Sequence, residues 1–382
     1  MQTTVTKYYN SILNFLVYLA ITLLVISDSG VQVFILTMFG PNSRILRKIA
    51  FTLLLTKVFC TKYRKKEFFI ILPFALLALY NYKIGGNIYG IYNVLIVASL
   101  KNIDFSLLFK CAFWGGLATI LLLGILSLFQ IGGALYLTEN FGRGSLETRY
   151  CFGLNHPNIW HQTFARCIVY FILGYDKKIS WIHLFCIFII NLVAYKFTLS
   201  RTGLLCVSIF VILYFFYKYL DKIAYALISK VLIVFMFFFT NTFFIYAYYV
   251  LSTKWSPWVV EFSEKFTTGR IFQAVLFIRE HPITLWGTPV PDGFVFDFGL
   301  LRMLFEYGYI CGIIFLIVLA IVFLYSQKHN LGIITCVSVF VSLYSLYEAP
   351  IIGRAPNNIS VFFIALLIYN FNKINSESNF KK

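Results

Sequence analysis

Arginines in two short polar motifs are the side chains of this sequence best suited to chemistry. Arg201 lies in Ser200-Arg201-Thr202, between two apolar runs, and Arg270 lies in Thr268-Gly269-Arg270, within the longest stretch that is not apolar. A planar guanidinium binds a phosphate or a carboxylate through two parallel hydrogen bonds, whereas a lysine ammonium is a point charge. We therefore predict that Arg201 and Arg270 bind an anionic group.

Three residues are candidates for a general base. Asp297 comes just before an apolar run, His281 lies between Glu280 and Pro282, and His156 precedes Pro157. Side chains of both types take the proton of a reacting hydroxyl when they meet it. Each also has a structural interpretation. Asp297 can interact with a helix dipole or pair with Arg302, and both histidines can lie at helix ends.

A second polar stretch, 131–157, contains Arg143 and Arg149 and ends at His156-Pro157-Asn158. Pro157 suits the first position of a helix, where its missing N–H costs nothing. The free N–H groups and the dipole of a helix N-terminus favour a phosphate or sugar oxygen. We therefore predict that Arg143, Arg149 and Asn158 contribute to substrate binding. The alternative is that the polar residues before Pro157 only cap this helix.

The composition places these motifs in a membrane protein. Hydrophobic residues make up 60% of the chain and charged residues 12%, which is outside the range of soluble domains. The net charge of +17 would suit nucleic-acid binding, but the positive residues lie at the ends of apolar runs, so we exclude that class. We predict an all-α polytopic membrane protein in which residues 1–382 form a single integral membrane domain.

Apolar runs of membrane-spanning length recur along the whole chain. About twelve spans are predicted, at 12–26, 45–61, 67–81, 86–100, 105–130, 158–175, 181–199, 203–219, 229–251, 299–326, 331–347 and 358–372. The stretch from Val31 to Phe39 is a candidate re-entrant or interfacial segment. Two outer loops are predicted, at 131–157 and, larger, at 252–298. The N- and C-termini are predicted to be cytoplasmic because lysines cluster in the loops on that side.

Arginines are distributed against this rule. Most fall on the predicted outer side, while Arg166 lies within a span; the outer ones are Arg44, Arg47, Arg143, Arg149, Arg201, Arg270, Arg279, Arg302 and Arg354. A cation on the translocated side opposes insertion and is retained more readily when an anionic ligand binds there. The set predicts an outward-facing site for an anionic substrate. The alternative is that these arginines pair with glutamates or lipid headgroups, or that Arg201 snorkels to the surface.

Several other kinds of site are excluded. The sequence has no phosphate-binding P-loop, dinucleotide-binding glycine motif or zinc-protease motif, and no acidic pair of the kind that metal-dependent sugar transferases use. The eight cysteines form no CxxC or Cys/His cluster, so neither a zinc site nor a disulfide framework is predicted. We predict no metal and no cofactor.

The order of the motifs resembles the Wzy-type polysaccharide polymerases, a family related to the O-antigen ligases. The similarity covers the layout of the whole chain and four short features between about 149 and 308. These are His156-Pro157-Asn158, Ser200-Arg201-Thr202, Thr268-Gly269-Arg270 in a large late loop, and Asp297 before a span. The ligases carry a histidine where this sequence has Asp297. That departure leaves the base open among Asp297, His281 and His156, and it mildly favours a polymerase.

The resemblance implies a C-type glycosyltransferase architecture and substrates carried on undecaprenyl pyrophosphate. The oligosaccharide on one carrier would be transferred to the terminal sugar of another, outside the bacterial inner (plasma) membrane. Arg201 and Arg270 would bind the pyrophosphate, assisted by Arg143, Arg149 or Arg279. No metal or nucleotide is needed because the donor is already activated. A chain-length regulator and a flippase are the implied protein partners.

Two other functions fit the same layout. A flippase of lipid-linked repeat units also has about twelve spans, but it is expected to carry charged residues inside several of them. A ligase that moves finished polymer onto a lipid core or a cell-wall acceptor differs from a polymerase only in its acceptor. The gathering of polar residues on the outer side favours the polymerase.

Overall fold

Helices make up most of the computed structural model, which describes residues 2–28, 45–141, 144–219, 227–231, 257–267, 269–288, 299–345, 348 and 355–369. In chain order these elements are α1 (Gln2–Ile26), α2 (Ile45–Cys60), α3 (Lys65–Gly85), α4 (Tyr89–Ser99), α5 (Phe105–Leu128), β1 (Tyr136–Glu139), β2 (Glu147–Tyr150), α6 (Pro157–Tyr175), α7 (Trp181–Thr198), α8 (Arg201–Tyr219), α9 (Pro257–Thr267), α10 (Arg270–Glu280), α11 (Gly299–Lys328), α12 (Gly332–Ser345) and α13 (Ser360–Ile368).

Six of these helices are long and apolar enough to cross a membrane: α1, α3, α5, α7, α8 and α11. The mostly helical structure and these six helices agree with the predicted all-α membrane protein, whereas the predicted number of twelve spans is not shown. Described helices cover every predicted span except 229–251, which lies outside the described residues apart from 229–231. The predicted segment from Val31 to Phe39 also lies outside them. α4 and α12 are shorter apolar helices, and α6 carries several polar residues along its length.

The main core joins most of the helices, and its tightest contact is between α5 and α6. There Gly116 packs so closely on Cys167 that a Cβ atom would lie 2.6 Å from the sulfur. One turn further along α6, the Tyr170 ring stacks on Phe109 with a centroid distance of 6.1 Å. This packing fixes α6 in the middle of the protein, with its polar residues inside.

The predicted outer loops contain regular structure. β1 and β2 pair antiparallel as a hairpin in the register Tyr136 to Tyr150, an addition to the predicted all-helical architecture. The sequence predicts an amphipathic stretch from Ile271 to Ile278, with Arg270 at its start and Pro282 stopping it. In the structure, α10 begins at Arg270 and ends just before His281 and Pro282. Its apolar face packs on the first half of α11, where the Phe277 and Phe305 rings lie 4.8 Å apart.

The span predicted at 299–326 is not one continuous helix. Gly308 interrupts α11 with φ 75° and ψ 172°, a conformation that residues with a Cβ rarely adopt. A Cβ atom here would also lie 2.3 Å from the Gly287 nitrogen. Residues 284–288 lie against the break, and their backbone replaces the missing helical hydrogen bonds. For example, the Tyr309 N–H donates to the Thr284 carbonyl at 3.1 Å.

Two asparagines donate hydrogen bonds to the carbonyl groups at the break. Asn81 in α3 donates to the Tyr307 carbonyl at 2.9 Å and to the Trp286 carbonyl. Asn87, between α3 and α4, donates to the Glu306 carbonyl at 3.0 Å. Because backbone groups inside a bilayer have no water to bind, such partners are what make a broken spanning helix tolerable.

Candidate functional site

The turn between α7 and α8 presents Arg201. Leu199 ends α7 with a left-handed φ of 50°, and the Ser200 Oγ accepts a hydrogen bond from the Gly203 N–H at 3.4 Å. Arg201 is the first residue of α8 and is exposed, and it forms no ion pair with any residue that the structure describes. Its guanidinium and the helix N-terminus are therefore both open to an anion.

A buried histidine holds this turn in place. His161 in α6 is fully buried, and its Nδ1 lies 2.9 Å from the Thr198 hydroxyl while its Nε2 lies 3.0 Å from the Asn191 Oδ1. The Asn191 Nδ2 donates to the Leu204 carbonyl at 3.1 Å, which turns the amide oxygen towards the ring. His161 Nε2 therefore donates to Asn191, and one ring ties α6, α7 and α8 together.

Gly203 lets the three helices approach this closely. A Cβ atom at Gly203 would lie 2.3 to 2.8 Å from three atoms of the His161 ring. The ring cannot move aside without losing its bonds to Thr198 and Asn191. Gly203, which follows Ser200-Arg201-Thr202, therefore has a packing role. Because it lets α8 lie close to α6, it also determines the position of Arg201 at the start of α8.

Arg270 reaches from the late segment into the interior. It is the first residue of α10, after Gly269 in a left-handed conformation (φ 78°). Its Nη2 lies 3.5 Å from the Glu348 Oε1, and the side chains are only 16% and 8% exposed. Glu348 follows α12, so this ion pair connects two elements that are 78 residues apart in sequence. Sequence analysis identified Arg270 but not its partner.

A second arginine lies in the same region. Arg166 is 3% exposed, and it occupies the middle of α6, about 13 Å along the axis from Pro157. Tyr344 is fully buried in α12, and its carbonyl accepts a hydrogen bond from the Glu348 N–H at 3.0 Å. We call Arg166, Arg270, Tyr344 and Glu348 the interior polar cluster. It holds two cations and one carboxylate.

The hairpin holds Arg149 in a different setting. Its Nε donates to the Glu147 carboxylate at 2.9 Å, and its guanidinium lies 4.0 Å from the centre of the Phe141 ring. Arg149 is only 4% exposed, so it already has a carboxylate and an aromatic partner. The sequence left two interpretations of Arg149 open, substrate binding and pairing with a glutamate. The structure shows the pair with Glu147.

Replacing Arg149 with glutamine is expected to loosen the hairpin. The change leaves Glu147 partly buried without its cation, a loss of about 1–3 kcal/mol for a charged hydrogen bond. Chymotrypsin cleavage at Phe141 should become several-fold faster. Thr148→Ala is the matched control, because the Thr138 and Thr148 hydroxyls pair on the exposed face. Loss of activity with unchanged cleavage would instead indicate that Arg149 binds substrate.

The remaining predicted site residues fall into three groups. His156 caps α6, with its Nδ1 accepting from the Asn158 N–H at 3.2 Å. His281 ends α10, and its ring lies 5.0 Å from the Phe277 ring, with Arg279 exposed two residues before it. Asp297 and Arg143 lie outside the described residues.

Other kinds of site find little support. The described residues contain no group of three or more His, Cys, Asp or Glu that could hold a metal ion. Cys151 is buried in the loop before α6, and burial raises the pKa of its thiol to about 12, so it is not a nucleophile. A cavity of about 290 Å³ lies between α3, α4, α11 and α13, away from the interior polar cluster, and its described lining is almost wholly apolar.

Three residues of this region were missed as site candidates: Arg166, Glu348 and His161. Arg166 carried a signal, since a charge in the middle of an apolar run is costly and marks a functional candidate. Glu348 and His161 carried none that spacing could reveal, because their partners lie on distant elements.

No family model matches the chain, and no curated protein or solved structure is significantly similar to it.

Proposed function

We propose that this chain is a polymerase of lipid-linked oligosaccharide repeat units, of the Wzy type, acting on the outer face of the bacterial plasma membrane. One observation carries the proposal. Arg270, from the late segment, lies buried against Glu348, and α6 contains a second buried arginine, Arg166. Buried guanidiniums favour an anion with several oxygens, and a pyrophosphate on a lipid offers one at membrane depth.

The proposed reaction needs an acceptor hydroxyl, a leaving pyrophosphate and a base. The hydroxyl oxygen attacks the anomeric carbon of the donor sugar, and the C–O bond to the pyrophosphate breaks. The polyprenyl pyrophosphate leaves with the electron pair of that bond, and a base takes the hydroxyl proton. Arg201 and Arg270 stabilise the charge that develops on the leaving oxygen.

The base remains open among four side chains. Asp297, His281 and His156 are the candidates from the sequence, and Glu348 is a further carboxylate beside Arg270. In the described structure His156 accepts a hydrogen bond from its own helix, and Glu348 is paired with a cation.

A flippase of the same lipid-linked units is the second candidate, and one observation favours it. Buried charged residues occur inside several helices, among them Lys57 in α2, Glu67 in α3 and Arg166 in α6. Charges in that position are expected along a transport pathway. Lys57 and Glu67, however, have structural partners: Lys57 donates to Asn14 at 2.8 Å, and Lys101 lies 2.5 Å from Glu67.

Arg201→Gln tests the proposal in cells. In a strain deleted for this gene and complemented with the variant, surface polysaccharide is expected to carry a single repeat unit, as in the deletion itself. Exposed Arg201 removes no packing when it is replaced, so the variant should accumulate normally on a membrane immunoblot. Arg64→Gln, which replaces a side chain that is 79% exposed, is the matched control and should make full-length polymer.

Two outcomes would contradict the polymerase. If the deletion strain accumulates finished polymer on its lipid carrier, unattached to the surface acceptor, the protein is a ligase. If lipid-linked single units accumulate on the cytoplasmic side and none reaches the surface, it is a flippase.

A further inference from the structure

Arg166 has hydrogen-bonding capacity that the described protein does not use. Its Nη2 donates to the Thr163 hydroxyl at 3.0 Å, but Nε and Nη1 have no partner. Arg166 is 97% buried and so lies away from bulk water. A buried polar group without a partner costs about 1–3 kcal/mol, and more when it is charged.

Three other buried side chains have unpartnered atoms as well. Gln162, one turn before Arg166 on the same face of α6, has a free Nε2, and the Tyr344 hydroxyl and the Asn357 Oδ1 are also free. All three residues are at least 96% buried. The turn that carries Asn357 is tied to α6, because the Tyr170 hydroxyl donates to the Pro356 carbonyl at 2.9 Å.

The chemistry of these groups is asymmetric. Arg166 Nε, Arg166 Nη1, Gln162 Nε2 and the Tyr344 hydroxyl are donors, and only Asn357 Oδ1 is purely an acceptor. A set of donors around a buried guanidinium fits an anionic group with several oxygens. Arg166 has no carboxylate partner in the described part of the chain, so none of the described residues supplies that anion.

We propose that Arg166 and Gln162, with Tyr344, form an interior subsite that binds a phosphate group of a lipid-linked substrate. The proposal rests on the proposed function for the lipid source of that phosphate. Its depth in α6 suits a phosphate that enters from the membrane rather than from water. Arg166 Nε and Nη1 point to different sides of the guanidinium, so each donates to a different substrate oxygen; Gln162 Nε2 binds a further oxygen, and Asn357 Oδ1 accepts from a substrate hydroxyl.

Binding to the purified full-length protein in nanodiscs tests the subsite without any polymerase assay. The probes are polyprenyl pyrophosphate without sugar, and inorganic pyrophosphate, both measured by native mass spectrometry. Arg166→Met is expected to weaken binding of the lipid probe at least about tenfold. Arg166→Lys keeps the charge but loses the planar guanidinium, so it should weaken binding by less. Gln162→Met should give a smaller loss in the same direction, and Arg64→Gln none.

Thermal stability separates binding from architecture. Arg166→Met removes an unpaired buried charge, so the empty variant should melt at or above the temperature of the empty wild type. A variant that melts lower and binds the lipid probe within twofold of wild type would overturn the proposal, because Arg166 would then be structural. If inorganic pyrophosphate bound through Arg166 and the lipid probe did not, the claim that the phosphate belongs to a lipid would be wrong.

The two proposals fail separately. Arg166-dependent lipid binding in a protein whose deletion leaves polymer length unchanged would support the subsite and reject the polymerase. If the deletion changed polymer length but lipid affinity did not depend on Arg166, the polymerase would be supported and the subsite rejected.

Discussion

Arg270→Ala is expected to abolish polymer formation, with activity at least about a hundredfold below wild type. The change removes a guanidinium from the interior polar cluster and leaves Glu348, which is 8% exposed, without its cation. Breaking a buried ion pair on one side costs about 3–5 kcal/mol. Polymer on a gel and the melting temperature of the purified protein should therefore both fall.

A double variant separates these two effects. In Arg270→Ala/Glu348→Gln no carboxylate is left unpaired, so the melting temperature should return close to that of wild type while polymer stays absent. Lys265→Ala is the control for the same segment, because its ion pair with Glu261 is exposed and contributes little. If the double variant made polymer of normal length, Arg270 would serve only to neutralise Glu348 and would not bind substrate.

Gly203→Ala is expected to give the second largest loss. The new methyl group would overlap the His161 ring, which is held at both nitrogens, so α8 must shift relative to α6 and α7. Overpacking of this kind costs about 1–3 kcal/mol. Displacing Arg201 by about 1 Å can reduce turnover about a hundredfold. Polymer yield per molecule of membrane-inserted protein is the measurement.

The cause of the Gly203 effect is tested by removing the ring. In a His161→Ala background there is space for the methyl group, so Gly203→Ala should add little to the loss that His161→Ala causes alone. Gly124→Ala in α5 is the matched glycine control, since its methyl group would meet only the Phe152 Cβ, at 4.0 Å. Additive losses in the His161→Ala background would show that the clash is not the cause.

The helices were predictable from the sequence because their signals are local. Long apolar runs predicted the positions of α1 to α8 and of α11 to α13, and Pro157 after His156 marked the beginning of α6, but α9 lies within the loop predicted at 252–298 and was not predicted. The amphipathic run after Gly269 gave α10. The hairpin at 136–150 was not predicted, because a short polar strand in a loop leaves little periodicity to detect.

The candidate site was predictable only in part. Arg201 and Arg270 lie in motifs with distinct neighbours, but their surroundings depend on contacts between distant elements. Glu348 meets Arg270 across 78 residues, and His161 meets Thr198 across 37. No local pattern encodes such pairs. Gly308 likewise looks like an ordinary glycine in an apolar run until the backbone of 284–288 is seen to pack against it.

The break in α11 has a consequence for how the protein is made. The carbonyl groups of Glu306 and Tyr307 depend on Asn87 and Asn81, which leave the ribosome 219 and 226 residues earlier. A helix with those carbonyls open is costly in lipid, by several kcal/mol for each group. α11 therefore inserts favourably only against α3 and α4, which are already in place. Residues that are made early therefore provide the hydrogen-bond partners that a later helix of the same chain needs when it inserts.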